Sequence, residues 1–434
     1  MLLRKSELPV TKPTHDHLFY AVHVPHVLVI GASLAGLRAV ETLRSHDFDG
    51  DVTVCDTEYT VLYDRPPLSK KFLEGEWEAD RIRLRKAEDI DALDAKWLAG
   101  HRATHLDVQS RTVSFANGVT LSYDACIIAT GGTVRRLPDQ PDFVGIHTLR
   151  TLDDASALRD DLQPGKHLVV IGAGFIGLEA AATATKRGCA VTVLEGLPAP
   201  LIRGLGEEMG NAVGRVHHAN GVNIRCNVKV DQILGTDRVT GVRITNENGT
   251  SEDVPADVVL VGIGVSPSTQ WLTDSGLTFD DGIVCDANLQ AAPKVFAAGD
   301  VARWINPLYS DTEPTMRVEH WTTAAEQGAH AALNVIAQLI NQPLTPYSAV
   351  PFFWSDQFTA RIQFLGRSTG AEEIRVIAGD PTTDKFAAAY MRNNRLVGVL
   401  GVSMPKVVMP SRKLLETHTS WADALAHFAE STTP

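Results

Sequence analysis

The stretch from His167 to Glu179 reads HLVVIGAGFIGLE and contains the three glycines that decide the fold. Apolar residues typical of a buried strand lead directly into these glycines, and the residues after them predict a helix. Gly172 provides the tight turn, Gly174 lets the backbone approach a pyrophosphate, and Gly177 lets the helix pack closely on the strand. The pyrophosphate would lie on the free N–H groups at the start of the helix. This stretch therefore predicts a dinucleotide-binding unit.

A second glycine-rich stretch lies near the N-terminus. The predicted strand Val27–Ile30 leads into the sequence GASLAG (31–36), where Ser33 replaces the middle glycine. Serine weakens the match but adds only a small side chain. Two copies that keep different accessory residues favour two bound nucleotides over an internal repeat with one inactive copy.

An acidic residue follows the second predicted strand of each copy, where a carboxylate binds the ribose of a dinucleotide. In the central copy this acid is Glu195, 18 residues after the last glycine. In the first copy both Asp56 and Glu58 are suitably placed, and the sequence does not separate them. The acids strengthen the prediction of nucleotide binding, because a glycine turn without them is a weak signal.

Length and composition are those of a globular protein with two or three domains, since the 434 residues are 44% hydrophobic and 21% charged. A net charge of −12 argues against nucleic acid and anionic membranes as partners. No apolar run reaches transmembrane length. The N-terminal residues lack the apolar region of a secretion signal and predict a flexible extension.

The five cysteines stand far apart without metal-ligand spacing, which favours a reducing, cytoplasmic location. The 15 histidines show no such spacing either, and His217 and His218 are predicted to form a pair on a helix surface. No metal site is therefore predicted.

A basic segment, YDRPPLSKK (63–71), contains a double proline. The prolines predict an extended loop that leads into a short helix. Such a rigid loop could hold Arg65 and Lys70 over a ligand. From the residues themselves, a solvated basic turn is an equally good interpretation.

The sequence pattern changes from Tyr347 onward, where apolar and polar residues alternate and predict antiparallel strands. A hairpin turn is predicted at Asn393 and Asn394, and a terminal helix from Ser411. This part predicts a smaller third domain of α+β type.

The motifs follow one order along the chain: GASLAG, RPPLSK, ATGG, GAGFIGLE, GIGVSP, AAGD, EHW and FWSDQ. This order resembles the glutathione-reductase-like flavoproteins. Within them, RPPLSK and FWSDQ resemble the ferredoxin reductases that serve Rieske dioxygenases and bacterial cytochromes P450. The resemblance extends from residue 27 to about residue 413.

The resemblance implies an α/β fold with two Rossmann-like dinucleotide-binding domains, glutathione-reductase-like, plus a C-terminal α+β domain. The cofactors that it implies are FAD and NADH. The implied division is an N-terminal extension (1–25), an FAD-binding domain in two segments (26–148 and 269–345), an inserted NAD-binding domain (149–268) and a C-terminal domain (346–434).

The resemblance also places residues at the cofactors. The implied FAD contacts are Gly31, Ala35 and Gly36 at the pyrophosphate, Asp56 or Glu58 at the ribose, Ala103 at the adenine, Arg65, Thr130 and Arg150 along the cofactor, Asp300 at the ribityl hydroxyls, and Trp321 at a helix start beside the flavin. The implied NAD contacts are Gly172, Gly174, Ile176, Gly177, Glu179, Glu195, Arg203, Gly262 and Glu319. The positive end of the helix at Trp321 would stabilise the anion formed on reduction.

Lys70 and Glu179 are the catalytic pair that the resemblance implies, at the junction of flavin and nicotinamide. An ammonium group there favours added electron density, and a carboxylate beside it keeps the lysine in place and can hold the nicotinamide carboxamide. Without the resemblance, both would be interpreted as surface residues.

Glu195 would select the nicotinamide cofactor, because a carboxylate suits a ribose 2′-hydroxyl and repels a 2′-phosphate. Two unit charges about 4 Å apart repel by roughly 4 kcal/mol at an effective dielectric of about 20. Half of this repulsion gives at least a roughly ten-fold preference. The sequence therefore predicts NADH over NADPH.

The electron acceptor that the resemblance implies is a [2Fe–2S] ferredoxin. Ferredoxins are usually acidic, so a docking patch of Lys406, Arg412 and Lys413, together with Arg317, is a hypothesis. A charge run of this kind can equally be a solvated face. The sequence leaves a monomer and a homodimer open.

Disulphide reductases of this superfamily need cysteines near the first flavin loop, and there is none between Asp56 and Leu73. Cys55 ends a predicted buried strand and is assigned to the core, so dithiol chemistry is not expected. Three alternatives stay open. They are an NADH oxidase or apoptosis-inducing-factor-like flavoprotein, a monodehydroascorbate-type reductase, and a redox-sensing module.

Overall fold

The computed structural model describes residues 23–58 and 62–431. The predicted N-terminal extension, residues 1–25, lies outside the described residues except for its last three. Each of the two glycine-rich stretches begins a helix at the end of a buried parallel strand, as the sequence predicts. No helix among the described residues is both long and apolar enough to cross a membrane.

The first parallel sheet is built around the strand His26–Ile30, which pairs with a parallel neighbour on either side. Among the described residues its order is Gln290–Ala292, Val295–Ala297, Ala125–Ile128, His26–Ile30, Asp51–Cys55 and Lys96–Leu98. Val295–Ala297 pairs in parallel with Ala125–Ile128, although more than a third of the chain separates them, and the edge strand Gln290–Ala292 is antiparallel. The two segments predicted to form one FAD-binding domain therefore share one sheet.

The second parallel sheet has the central glycine-rich stretch in its middle strand. Its order, within the described residues, is Asn223–Arg225, Ala190–Leu194, His167–Ile171, Val258–Val261 and Ile146–His147. Because Ile146–His147 pairs with Val258–Val261, the structure favours a boundary before residue 146 rather than at residue 149. The other domain boundaries stay predictions.

Smaller sheets complete the fold, and they are antiparallel except for the ribbon of Ile283–Cys285 and Ala302–Trp304, whose strands are parallel. Two three-stranded sheets comprise Ala103–Asp107, Thr112–Phe115 and Thr120–Ser122, and Lys229–Gly235, Val239–Thr245 and Ser251–Pro255. Short two-stranded ribbons join Gly132–Val134 to Val265–Pro267 and Ile283–Cys285 to Ala302–Trp304. The C-terminal sheet runs Phe352–Gln357, Ala360–Gly366, Arg395–Val402, Lys385–Arg392 and Glu373–Asp380. Its predicted hairpin turn is confirmed, since Asn393 and Asn394 have φ values of 51° and 57°, which asparagine tolerates.

The helices in chain order are Leu34–Ser45, Lys71–Glu74, Ala87–Asp91, Leu152–Asp161, Phe175–Lys186, Ile202–Leu205, Glu207–Ala219, Trp321–Leu339, Pro405–Val408, Arg412–Glu416 and Trp421–Ser431. Short 3₁₀ helices are Pro66–Ser69, Ala79–Ile82, Gln270–Leu272, Gly299–Val301 and Met409–Ser411. The predicted fold class, α/β with two Rossmann-like domains plus an α+β domain, is confirmed.

Three predictions of local structure were wrong. The double proline does not form an extended loop but opens the 3₁₀ helix Pro66–Ser69, because a first helical turn needs no N–H donor there. The single terminal helix is two helices, Arg412–Glu416 and Trp421–Ser431. His217 and His218 are not a surface pair, since His217 is completely buried where its helix meets the C-terminal sheet.

Two helices that are far apart in the sequence are in close backbone contact. Leu34–Ser45 lies against Trp321–Leu339, and a Cβ atom on Gly328 would be 2.1 Å from the Ala35 carbonyl oxygen. Glycine at this point is what allows the two helices to approach so closely.

Replacing Gly328 by alanine is expected to lower the free energy of unfolding by about 1–3 kcal/mol, because the added methyl group overpacks this contact. Gly196→Ala is the matched control, since the nearest atom to the new carbon, the Val228 carbonyl oxygen, would be 3.7 Å away. The control is expected to change stability by less than about 0.5 kcal/mol. Urea denaturation measures both, and an equal loss in the two variants would contradict the packing argument.

Candidate functional site

A cleft of about 1480 Å³ is lined by both glycine turns and by residues of the C-terminal sheet. It contains all of the cofactor contacts implied by the sequence except Gly36. Residues predicted from distant parts of the chain are therefore brought to one site. The cleft lining includes Gly31, Ala35, Asp56, Glu58, Arg65, Lys70, Ala103, Thr130, Arg150, Asp300, Trp321, Gly172, Gly174, Ile176, Gly177, Glu179, Glu195, Arg203, Gly262 and Glu319.

The first glycine of each turn is required by backbone geometry. Gly31 has φ 107°, and a Cβ atom there would lie 2.3 Å from the Ala129 carbonyl oxygen. Gly172 has φ 102°, and its Cβ would lie 2.5 Å from the Gly262 carbonyl oxygen. Any larger residue would be strained in conformation and would collide with the neighbouring strand.

The third glycine of each turn serves packing. A Cβ atom on Gly36 would lie 1.9 Å from the Gly31 carbonyl oxygen, and one on Gly177 would lie 2.4 Å from the Gly172 carbonyl oxygen. Gly177 also lines the cleft, whereas Gly36 is not among the described residues that line it. Gly36 therefore makes the close contact between the helix and the turn, and its contact with the pyrophosphate stays a prediction.

The acid after the second strand of each copy holds the glycine turn in place. Glu195 Oε2 accepts from the Ala173 amide at 2.8 Å, and Oε1 accepts from the Leu197 amide at 3.0 Å. Asp56 Oδ2 makes the equivalent contact to the Ala32 amide. Both carboxylates lie at the cleft wall, so they can order the turn and still face a ligand.

A chain of polar and ionic contacts runs along one side of the cleft. Glu58 accepts from the Tyr63 hydroxyl at 2.6 Å and pairs with Arg65 Nη2 at 3.1 Å. Arg65 Nη1 donates to the Arg150 carbonyl, and Arg150 Nη2 pairs with Asp300 at 2.8 Å. Asp56 and Glu58 therefore have different contacts, but these do not decide which of them binds the ribose.

Lys70 and Glu179 form the predicted pair. Their Nζ and Oε2 atoms are 2.9 Å apart, and the Glu179 side chain is only 5% exposed. Glu179 also accepts from the hydroxyls of Ser69 and Ser355, the latter at 2.6 Å. A buried carboxylate is tolerated when a cation and hydrogen-bond donors surround it in this way.

Trp321 begins the helix Trp321–Leu339, whose first turn faces the cleft. Its Nε1 donates to Asp64 Oδ1 at 2.7 Å, and burial raises the pKa of Asp64. Glu319 pairs with Arg317 at 2.7 Å, and burial followed by the charge of Asp300 raises the pKa of Glu319. The cleft thus has both a positive helix end and carboxyl groups at this side.

The predicted docking patch needs one correction. The Arg317 side chain is 9% exposed and pairs with Asp281 as well as with Glu319, so it is not a surface cation. Arg412 is half-buried and donates to a main-chain carbonyl. Lys406 and Lys413 are exposed.

Cys55 lines the cleft but is completely buried, and burial raises its pKa to about 12. All five cysteines lie within the described residues and are free thiols. A thiol with so high a pKa is not a thiolate at neutral pH and cannot act as a nucleophile. Among the described residues, no group of three or more His, Cys, Asp or Glu is placed to hold a metal ion.

Sequence reasoning missed four side chains at the site: Tyr63, Asp64, Ser69 and Ser355. All four lie inside quoted motifs, three of them in YDRPPLSKK and Ser355 in FWSDQ. Asp64, Ser69 and Ser355 contact residues far away in sequence, which a motif does not reveal, whereas Tyr63 donates to the nearby Glu58.

Residues 25–328 match the family described as pyridine nucleotide-disulphide oxidoreductase, which is well over half of the chain. The chain belongs to this family. Residues 352–431 match a second family, described as reductase C-terminal. The resemblance and the fold class stated from the motifs are thereby confirmed.

Individual relatives narrow the comparison. Rhodocoxin reductase from Rhodococcus erythropolis is 34% identical over 394 residues, which is 90% of this chain and 89% of that protein. The ferredoxin–NAD(+) reductase component of the anthranilate 1,2-dioxygenase system from Burkholderia cepacia is 34% identical over 391 residues, covering 89% and 93%. In the crystal structure of the covalent putidaredoxin reductase–putidaredoxin complex, the matching chain has a TM-score of 0.85 and 30% identity, with 94% and 99% coverage.

FAD and a nicotinamide dinucleotide are the cofactors of this family, and the residues present fit them. The cleft is large, and two glycine turns leave helix N-termini open toward it. Gly174 shows the fit directly, because a Cβ atom there would meet no described atom within 4 Å. Arg150 adds a second sign, since its buried Nε has no hydrogen-bond partner among the described residues.

Gly174→Ala is expected to leave the stability unchanged and to weaken NADH binding by about ten-fold or more. The added methyl group meets no protein atom but stands where the backbone must approach a pyrophosphate. Gly172→Ala is the contrasting variant and should destabilise the protein, because its φ of 102° and the Gly262 carbonyl leave no room. Thermal unfolding and NADH titration separate the two effects, and undiminished NADH binding by Gly174→Ala would contradict this prediction.

Proposed function

We propose that the protein is an NADH-dependent ferredoxin reductase that passes electrons from NADH through FAD to a [2Fe–2S] ferredoxin, which in turn feeds an oxygenase. The observation that carries the proposal is that both glycine turns open on one cleft whose wall holds the buried Lys70–Glu179 pair. Relatives that match most of this chain carry ferredoxin reductase names, which supports the same function.

The residues of the cleft are suited to this chemistry. FAD, when bound, would supply the change from two-electron to one-electron transfer that a nicotinamide cannot make, because a flavin can accept a hydride and release the electrons one at a time. Lys70 provides a fixed positive charge, and Glu179 holds that charge in position at 2.9 Å. Preorganised charges in a site shielded from water stabilise the charge that develops during transfer.

The assignment of residues to the two cofactors is part of the proposal. The glycine turn at Gly31 and the ionic chain through Arg65, Arg150 and Asp300 would hold FAD. The turn at Gly172 would hold the nicotinamide dinucleotide, together with the other NAD contacts that the resemblance implies. The division into an FAD-binding domain in two segments, an NAD-binding domain and a C-terminal domain belongs to the same proposal.

A reducing compartment, the cytoplasm, is proposed as the location because all five cysteines are free thiols. For the ferredoxin we propose a docking surface that includes the exposed Lys406 and Lys413, without Arg317. Long-range attraction between such lysines and an acidic partner raises the association rate.

The function is tested by mixing the holoprotein anaerobically with NADH and then measuring cytochrome c reduction with and without a [2Fe–2S] ferredoxin. Rapid bleaching of the flavin and turnover that depends on ferredoxin are expected, and the rate should fall as salt screens the docking surface. Fast turnover with oxygen or a small radical would favour the oxidase or monodehydroascorbate-type alternative. A long-lived reduced state that does not react with ferredoxin would favour a redox sensor.

NADH is expected to exceed NADPH in kcat/KM by about ten-fold or more, because Glu195 would repel a 2′-phosphate. Glu195→Gln keeps one acceptor oxygen for the Ala173 amide and removes the charge and the contact with the Leu197 amide, so the preference should shrink several-fold. Glu416→Gln, an exposed acid in the C-terminal part, is the matched control and should leave the ratio unchanged. A wild-type preference for NADPH would overturn the assignment of Glu195.

A further inference from the structure

A row of buried polar side chains leads away from the Lys70–Glu179 pair. Glu179 Oε1 lies 2.6 Å from Ser355 Oγ. Gln357 Nε2 lies 3.0 Å from Ser355 Oγ, and His217 Nε2 lies 2.8 Å from Gln357 Oε1. Ser355, Gln357 and His217 are completely buried. Gln357 and His217 have no part in the chemistry proposed for Lys70 and Glu179.

The direction of each hydrogen bond follows from the inner end of the row. A carboxylate only accepts, so the Ser355 hydroxyl donates to Glu179. The Ser355 oxygen then accepts from the Gln357 amide nitrogen, which turns the amide oxygen toward His217. His217 must therefore donate from Nε2. The three bonds form a one-way chain that ends on the Glu179 carboxylate.

His217 is fixed as the neutral Nε2–H tautomer by its surroundings. Its other ring nitrogen, Nδ1, is buried and has no hydrogen-bond partner among the described residues. Burial lowers the pKa of His217 to about 4. A second proton on Nδ1 would place an unpaired charge in the interior, which is costly.

The row connects separate parts of the fold. His217 lies on the helix Glu207–Ala219, and Glu179 on the helix Phe175–Lys186. Ser355 and Gln357 lie two residues apart on the strand Phe352–Gln357, so both face the same side of the C-terminal sheet. The strand is thus held between two helices of the NAD-binding part by side chains that have few alternative partners. A buried hydrogen-bond network of this kind rigidifies the elements that it joins.

We infer that His217 and Gln357 are positioning residues, which act through Ser355 to hold the Glu179 carboxylate in the orientation that pairs with Lys70. They would thereby set the rate of hydride transfer from NADH without touching either cofactor. The inference rests on the proposed function, because it concerns the residues behind the Lys70–Glu179 pair.

A role in packing is the competing explanation, and it predicts the opposite order of two variants. The His217 ring meets the Phe358 ring edge to face, with centroids 5.2 Å apart. His217→Phe keeps an aromatic ring but removes the donor to Gln357. His217→Gln loses the ring but keeps an N–H donor at about the same reach. If His217 serves packing, flavin reduction by NADH should be faster in His217→Phe than in His217→Gln. If His217 positions Glu179, reduction should be faster in His217→Gln.

The test is anaerobic stopped-flow reduction of the holoprotein by NADH, together with flavin content and melting temperature. His217→Phe is expected to slow flavin reduction by about ten-fold, the size of effect that the loss of a hydrogen bond to a charged network gives. His217→Gln is expected to stay within about two-fold of the wild type. A phenylalanine variant as fast as the wild type, or a glutamine variant slower than the phenylalanine variant, would overturn the inference.

Ser355→Ala, which breaks the row at its inner end with a small side chain, provides a second variant if the histidine variants do not fold. It should slow flavin reduction to a similar extent, and an unchanged rate would overturn the inference. Independently of activity, ¹⁵N NMR of histidine-labelled protein should show His217 as a neutral Nε2–H tautomer, and an Nδ1–H tautomer would overturn the row itself. If the wild type is not reduced by NADH, the proposed function fails, whereas the NMR result still decides the row.

Discussion

The close backbone contact at each glycine turn is the constraint on which the structure depends. Gly36 and Gly177 let a helix begin against the carbonyl of the preceding turn, with room for no side chain between them. The middle position of each turn faces the cleft instead. There the first copy has Ser33 and the second has Gly174, so this position can vary without cost to the fold. Folding requires glycine only where a Cβ atom would meet the backbone. At the middle position, the approach of a ligand is what favours glycine.

The cleft exists because two such units and a third domain are held against each other, and Glu179 lies where they meet. Its carboxylate is buried among Ser69 and Lys70 from one part and Ser355 from another. Removing any one partner would leave a buried charge without one of its donors. The resulting loss of folding free energy is larger than the net contribution of the contact itself. The same ion pair that positions a charge for chemistry therefore also fixes the relative placement of the parts.

Much of the fold was predictable because its signals are local. The strand before each glycine turn, the helix after the central turn and the turn at Asn393 and Asn394 follow from residue pattern and turn chemistry. The motifs also grouped residues that line one cleft, since their order resembled a family. Gly36 shows why a motif does not separate two roles, because helix packing and ligand contact both use glycine.

Two of the errors share a physical cause, which is a partner outside the local sequence. His217 has the sequence of a helix-surface residue, but its acceptor is Gln357, 140 positions further along the chain. Arg317 has the charge of a docking residue, but its side chain is 9% exposed and pairs with Asp281, 36 positions earlier, as well as with the neighbouring Glu319.

The thiol chemistry for which the family is named also bears on where the acceptor binds. A disulphide substrate must enter the site, because a thiolate has to make a covalent bond with it. Here the only cysteine at the cleft, among the described residues, is buried Cys55, whose raised pKa keeps it protonated. An acceptor of single electrons has to come close to the electron donor but does not form a covalent bond with it. The acceptor can therefore stay outside the cleft. Recognition then takes place at the surface, where the exposed Lys406 and Lys413 can attract an acidic partner even though the whole chain carries a net charge of −12.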